Sequence, residues 1–478
     1  MDIGVRAINN KLGLPSLIGV VVGAMIGGGL FNLPSDMAAG AHSGAVLIGW
    51  VITGIGMIAL ALCFQNLAVK KPELDGGVYS YARAGFGEYV GFNSAFGYWL
   101  SAFLGTIASF TLLFNSLSYF FPIFGEGNNM ASMIGASALL WTYHFLVLRG
   151  MKEATLVNLV TTIAKLIPVV LFIIVMVIAF NMKTFTFEFF GPGEFSWSSL
   201  FEQTRSTMLV TLWVFIGVEG AVVLSGRAKN KKDVGRATVI GLLGTLAIYI
   251  MISMLSLGVM PKEELASLKS PSTAYVLEYV VGPWGAILIN VGLIISLVGT
   301  LLGWTILACE IPYVASKDKL FPKMFNKVNK NESPSASLWV TSGIMQIFFV
   351  LIAVTSSTYQ ALYSMASTAM LLPYLFSALY QVKITVNRDG YNQNEVTRKQ
   401  LIIGIIASVY AAWLIYAAGL TYLLSVTTLY FIGLVFYWKA KKESNERMFT
   451  KYEAMLALII VVAAVTTVYL ITTGQMYL

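Results

Sequence analysis

Runs of about twenty apolar residues follow one another along the chain, and that is the length an α-helix needs to cross ~30 Å of hydrocarbon. They fall near 18–37, 44–68, 89–120, 129–148, 155–180, 205–226, 236–260, 277–309, 337–355, 359–381, 400–417, 421–438 and 453–472, thirteen in all. The pair 400–417 and 421–438 is parted only by Ala418, Gly419 and Leu420. Lipid offers no partner to backbone N–H and C=O groups, so spans must be helices or strands of a closed barrel. The runs are continuous rather than alternating, which excludes a barrel. Only 11% of residues are charged, against about 25% in soluble domains, which excludes a soluble fold. The expectation is an all-α polytopic membrane protein. Its first run lacks a convincing cleavage site and leads straight into further spans, unlike a secretory leader.

Charge placement sets the expected topology. The net charge is +8, and an N-terminus on the inside puts 26 of the 31 basic residues in cytoplasmic loops. These include Arg6, Lys11, Lys70, Lys71, Arg83, Arg149, Lys152, Arg227, Lys229, Lys231, Lys232 and Arg236, then 317–330, 383–399 and 439–451. The opposite side keeps Lys183, Lys262 and Lys269, with Arg205 near a helix start. This asymmetry is the positive-inside rule, and thirteen spans then leave the C-terminus outside. The positive charge is thereby assigned to topology, with lipid as partner and no nucleic acid. Cys63 and Cys309 are isolated in apolar runs, and His42 and His144 lie far apart. Neither pair suggests a disulfide framework or a metal site, and no cofactor is expected. The basic linker 311–336 reads as amphipathic. Loop 181–204, rich in Phe and Glu, reads as either a short interfacial helix or a cap.

Two spans are interrupted. The first carries Gly23-Ala24-Met25-Ile26-Gly27-Gly28-Gly29, and adjacent glycines weaken a helix while admitting close approach to its backbone. The sixth carries Phe215-Ile216-Gly217-Val218-Glu219-Gly220, a carboxylate inside an apolar run. An ionisable residue there is costly and is by default a functional-site hypothesis. Small-residue helix packing is the plainer reading of the glycines. The two breaks, however, lie an odd number of spans apart, the pattern of inverted halves around a midplane site in a secondary transporter. Unwound backbone frees N–H and C=O groups, and a zwitterionic α-amino acid complements both. Its carboxylate would take N–H groups of Gly27, Gly28 and Gly29 at the positive end of a half-helix. Its ammonium would take carbonyls near Met25, Trp213 or Ile216.

Trp213 lies one to two turns before Glu219, Trp304 sits deep in span eight, and Tyr98, Trp99 and Phe103 lie on span three. Tryptophans in membrane proteins are usually belt or packing residues. A gating or side-chain-covering role for Trp213 and Trp304 stands beside that reading, since an aromatic face attracts cations. Glu219 has three open roles: neutralising a cationic substrate, carrying a coupling proton, or bracing a gate. Lys165 is the natural charged partner to test against it. Asp36 and Glu310, near span ends, read as wet interface residues.

GAMIGGGLF (23–31), GGVYSYARAGFG (76–87), LWVFIGVEGAVVLSGRAKNKKDVGRAT (212–238) and GWTILA (303–308), in this order, carry a resemblance. Over about 12–440 the chain resembles the amino acid–polyamine–organocation superfamily, and within it the bacterial basic amino acid/polyamine antiporters. The resemblance implies a LeuT-like 5+5 inverted-repeat transporter core with additional C-terminal helices. The first repeat would be 12–180, the second 205–381, and the extra helices 400–472. It implies a multi-pass bacterial plasma membrane protein, and leaves monomer and homodimer both open. It implies backbone at Met25, Gly28 and Gly29 for the substrate's carboxylate and amine, completed by carbonyls near Trp213 and Ile216. Trp213 would be a middle gate supported by Trp304. Tyr98, Glu219 and Tyr374 would form a cytoplasmic-side gate. Ser101, Ala102, Thr106, Ala366 and Ser367 would line the side-chain pocket.

Two departures narrow the substrate. The middle glycine of GGG is a small hydroxyl residue in arginine/agmatine exchangers, and Thr106 stands where they carry an amide. Both argue against agmatine, and the GGG form and thirteenth span look more like arginine/ornithine exchangers. The expectation is exchange of an external basic amino acid for a decarboxylated or deiminase-pathway product, arginine for ornithine first. Lysine/cadaverine or histidine/histamine exchange and proton-coupled uptake stay open. A channel would need a continuous polar path that the sequence lacks. A sensor would need a signalling partner or tail. No catalytic cluster accompanies Glu219, so enzyme activity is not expected.

Overall fold

The computed structural model describes residues 13–74, 77–150, 155–219, 229–393 and 395–476. Arg6, Lys11, Gly76, Lys152, Gly220 and Arg227, singled out above, lie outside the described residues, as do 221–226 of the sixth predicted span.

The chain is helical from end to end of its described part. The first span is two pieces, α1 (Leu14–Met25) and α2 (Leu33–Gly40), joined by a 3-10 turn at Gly28–Asn32. Then come α3 (Ser43–Lys70), α4 (Val78–Phe86), α5 (Glu88–Ser118), α6 (Met130–Leu148) and α7 (Thr155–Ala179). Two short helices follow, α8 (Met182–Thr186) and α9 (Trp197–Ser206), before α10 (Met208–Phe215). The second half holds α11 (Lys231–Leu257), α12 (Lys262–Ser267), α13 (Ser272–Val281), α14 (Pro283–Lys317), α15 (Ser335–Thr355) and α16 (Tyr359–Val386). The last two are α17 (Arg398–Glu443) and α18 (Lys451–Thr472).

Among the described residues nine helices are long and apolar enough to cross a bilayer, ten if the bent pair α1–α2 counts as one span with a 46° break. Their outer faces suit lipid: Ile178, Val354 and Val465 are well exposed, as core residues of a soluble protein would not be. Burial grades from centre to edge. The apolar window of α5 is 83% buried and that of α18 only 17%.

Two groups of helices emerge from the packing. One joins α1, α3, α10 and α11; the other joins α5, α6, α14 and α15. Polar ties run within each group, where membrane helices use hydrogen bonds between them as adhesive. In the first group Trp50 Nε1 donates to Ser253 Oγ at 2.7 Å, and Thr53 Oγ1 donates to Thr211 Oγ1 at 2.8 Å. In the second, Trp99 Nε1 donates to Thr341 Oγ1 at 3.1 Å, and the Tyr143 hydroxyl donates to the Val298 carbonyl at 2.6 Å. Helix α16 packs on α5, α17, α3 and α10, and so touches both groups.

Several boundaries differ from the hydropathy reading. The run 277–309 is split because Gly282 sits at φ +85° and Pro283 opens α14, two signals that end one helix and start another. The run from 205 begins inside α9, and the span proper starts at Met208. Gly419 interrupts α17 at φ +75°, ψ +161°, outside the range of ordinary L-residues, and divides it into two pieces of span length. The loop 181–204 forms α8 and α9 with exposed aromatics, Phe187 and Trp197 among them, and Phe189 accepts from the Gly44 N–H at 2.7 Å.

Candidate functional site

The two breaks face each other. In the first, Ile26 N–H still bonds to the Val22 carbonyl at 2.8 Å, but Gly27 N–H turns back to Met25 at 2.7 Å. The 3-10 turn then starts at Gly28, and the first N–H groups of such a turn have no acceptor in their own helix. In the second, Ile216 ends α10 with ψ +128°, and Gly217 takes φ +108°, which only glycine adopts without strain. A side chain at Gly217 would press on Ala24 at 3.0 Å, so the two unwound stretches are in contact.

Three side chains hold the breaks open. The Tyr249 hydroxyl on α11 lies 2.7 Å from the Met25 carbonyl and 2.9 Å from the Val214 carbonyl, bridging both. Lys165 Nζ on α7 donates to the Gly23 carbonyl at 2.8 Å, a cation at the negative end of α1. Glu219 is 1% exposed, and its Oε2 accepts the Tyr374 hydroxyl at 2.7 Å and the Gly217 N–H at 3.2 Å. The Tyr98 phenol, also buried, lies beside the same carboxylate. The structure therefore gathers Tyr98, Glu219 and Tyr374 from three elements.

Between the breaks is a cavity of about 40 Å³, room for a water or so but not for an amino acid. Met25, Gly27, Gly28, Gly29, Ser101, Trp213, Ile216 and Trp304, all singled out from sequence, line it. Ala24, Gly105, Ser109, Val214, Leu297 and Thr300 line it too and were not foreseen. Ser101 Oγ is buried with no hydrogen-bond partner among the described residues. Trp213 lies against both Gly29 and Gly105. A Cβ at Gly29 would stand 2.7 Å from its indole, and one at Gly105 2.9 Å. Its Nε1 donates to the Tyr359 hydroxyl at 3.0 Å and its ring stacks on Tyr363 at 5.7 Å.

Ala102, Thr106, Ala366 and Ser367 are buried but do not line this cavity. Thr106 Oγ1 donates to its own helix at the Ala102 carbonyl, 2.7 Å, and Ser367 Oγ donates to the Leu209 carbonyl, 3.4 Å. Asp36 departs from the reading as a wet interface residue. It is 6% exposed, and its Oδ1 accepts Gln360 Nε2 at 2.6 Å and Asn32 Nδ2 at 3.2 Å. A larger cleft, about 290 Å³, is walled by His42, Lys183, Glu188, Lys262 and Glu263 among others. It lies on the loops and touches neither break. His42, Glu188 and Glu263 bring ligand atoms within 4.8 Å of one another there. Lys183 and Lys262 line the same cleft, and burial together with Lys262 holds His42 below its usual pKa.

A family model described as amino acid permease matches residues 12–424, most of the chain. The chain belongs to the amino acid permease family. It is a transporter and not an enzyme, within the amino acid–polyamine–organocation superfamily. This permease is 48% identical to an arginine/ornithine antiporter of Pseudomonas aeruginosa over 96% of its own length and 97% of the relative's. It is 43% identical to a putative arginine/ornithine antiporter of Escherichia coli K12, over 97% of this chain and 100% of that one. An arginine/agmatine antiporter of Chlamydia pneumoniae is 41% identical over 98% of each chain. The solved structure of MhsT with L-phenylalanine superposes with a TM-score of 0.57 at 14% identity, covering 84% of this permease and 98% of MhsT. That likeness concerns the fold: a multi-pass helical transporter.

Proposed function

We infer that this permease is an antiporter that exchanges a basic amino acid for a related product, arginine against ornithine in the first instance. The observation that carries it is the 48% identity, end to end, with an arginine/ornithine antiporter. Agmatine as the second substrate is the other reading, supported by the 41% identity to an arginine/agmatine antiporter. The glycine at position 28, where the family resemblance implies a small hydroxyl residue in arginine/agmatine exchangers, favours ornithine. The deciding experiment loads proteoliposomes with ornithine, agmatine or buffer alone and offers labelled arginine outside. Ornithine-loaded vesicles should take up arginine fastest. Equal uptake into loaded and empty vesicles would remove exchange, and agmatine outpacing ornithine would reassign the product.

In this reading the substrate's α-carboxylate meets the N–H groups of Gly27, Gly28 and Gly29, and its ammonium meets carbonyls near Met25, Trp213 and Ile216. Trp213 swings off Gly105 to admit the side chain toward Ser101, Ala102, Thr106, Ala366 and Ser367, with Trp304 as the opposite wall. Glu219, tied to Tyr374 and flanked by Tyr98, is the gate on one side. The group α1, α3, α10 and α11 rocks against α5, α6, α14 and α15, with the broken helices carrying the site. The halves of α17 count as two spans, α7 and the α10 region as one each, giving thirteen. The core is 5+5, repeat 12–180 followed by 205–381 inverted, then 400–472. The N-terminus lies in the cytoplasm and the C-terminus outside a bacterial plasma membrane, whose lipid covers the exposed apolar faces. Both monomer and dimer are compatible with this.

A further inference from the structure

Asp36 is a buried acid for which the exchange cycle described above has no use. It sits in the first turn of α2, 6% exposed. Its Oδ1 is held by two neutral amides, Gln360 at 2.6 Å and Asn32 at 3.2 Å. Its Oδ2 is buried and has no hydrogen-bond partner among the described residues, with the Tyr363 phenol beside the carboxylate. Among the described residues no ion pair reaches it. A carboxyl withdrawn from water and held only by neutral donors is balanced either by a proton or by a cation that enters with its own charge, and the second is the case a cationic substrate supplies.

Its position gives that cation an identity. Gln360, which holds Asp36, shares the opening turns of α16 with Tyr359 and Tyr363, which hold Trp213 by a hydrogen bond and a stack. Tyr374, which holds Glu219, is fourteen residues further along the same helix. At ~1.5 Å per residue that is about 21 Å. Asp36 and Glu219 are thus tied to α16 about four turns apart, and neither lines the cavity itself. The Asp36 end is the one where Trp213 closes.

We propose that Asp36 is a staging site for the cationic side chain of the substrate, on the side of Trp213 away from Glu219. The guanidinium or ammonium group takes Oδ2 and displaces Gln360 from Oδ1. That frees the turn of α16 that holds Trp213, so the charge that a basic amino acid carries opens its own way in. The proposal deepens the exchange reading and rests on it.

The test is Asp36→Asn, which keeps the shape and one acceptor and removes the charge. Right-side-out and inside-out vesicles report the two faces separately, with citrulline as a neutral near-isostere of arginine. On one face KM for arginine and ornithine should rise about tenfold, the size of a lost charge-assisted hydrogen bond, with kcat little changed. The other face should be unaffected, and preference for arginine over citrulline should narrow only on the first. Asp36→Glu should restore it. Unchanged KM on both faces overturns the proposal, as does an equal kcat loss on both faces in D36N and D36E alike, the mark of a brace. A dependence on Na+ that D36N abolishes, without change in citrulline discrimination, overturns it in favour of an inorganic cation. If D36N fails to assemble, Gln360→Ala serves: freeing the carboxylate from its competitor should lower KM on that face, and a raised or unchanged KM overturns the proposal. Wild-type vesicles that do not exchange arginine for ornithine sink the exchange reading itself. Wild-type exchange with an indifferent D36N sinks only the staging site.

Discussion

Position 29 separates a glycine that packing requires from one that it does not. A methyl group there would collide with the Trp213 indole at 2.7 Å, whereas one at Gly23 would meet nothing within 4 Å. Gly29→Ala should cut arginine–ornithine exchange in proteoliposomes by more than about tenfold, since overpacking a tight contact costs about 1–3 kcal/mol. Gly23→Ala, one break-length away, should exchange at the wild-type rate. Equal behaviour of the two would mean that Trp213 does not need to rest on Gly29. Glu219→Gln keeps an acceptor for Tyr374 but loses the charge, and hydrogen bonds to charged groups are worth about 1.5–3 kcal/mol. Turnover should therefore drop at least about tenfold while the amount of folded protein, read by size-exclusion profile, stays the same. The importance of these residues is legible in the sequence, because three glycines and an acid inside apolar runs violate what lipid asks of a helix. Asp36 is not legible in that way. Its partner Gln360 is 324 positions distant, and nothing local distinguishes a wet carboxylate at a span end from one that tertiary structure has covered.

Glycines permit the two breaks, and neighbouring helices help to hold them open. Tyr249 bridges carbonyls of both breaks from α11. Tyr249→Phe leaves those two acceptors with one partner fewer, at about 1–3 kcal/mol for a buried unsatisfied group. Its midpoint of thermal unfolding in detergent should fall by several degrees, and a midpoint equal to wild type would show that water or backbone takes over. Gly419 offers a second test at this scale. A Cβ there meets nothing within 4 Å, so Gly419→Ala should destabilise through backbone strain alone, about 1–3 kcal/mol. The location of most helices follows from hydropathy because the bilayer fixes their length. Their ends follow less well. At Gly282-Pro283 and at Ser206 the apolar signal runs past a boundary that capping geometry decides, and the polarity of a neighbouring loop helix is invisible to a window average.

Most basic residues fall in the loops expected to be cytoplasmic, and ion pairs there tie the elements together. Lys70 meets Glu395 at 2.7 Å and Lys71 meets Asp389 at 2.7 Å, joining the end of α3 to the loop after α16. The hydrogen bond to Asp389 holds the Lys71 ammonium above its usual pKa, so Lys71 keeps its charge well past neutral pH. The proposed thirteen spans would place the two termini on opposite faces. A C-terminal alkaline phosphatase fusion should be active and a C-terminal green fluorescent protein fusion dark, and the reverse result would require an even number of crossings. The two carboxylates bound to one helix carry a further meaning for a cell. With Asp36 clasped at the start of α16 and Glu219 about four turns further along it, the proposed doorway would be bolted twice. Water threaded through a carrier would short-circuit the voltage that a membrane stores. In the proposed cycle each bolt would be an insulator in its own right, so that one is drawn for a passenger while the other still holds back the current.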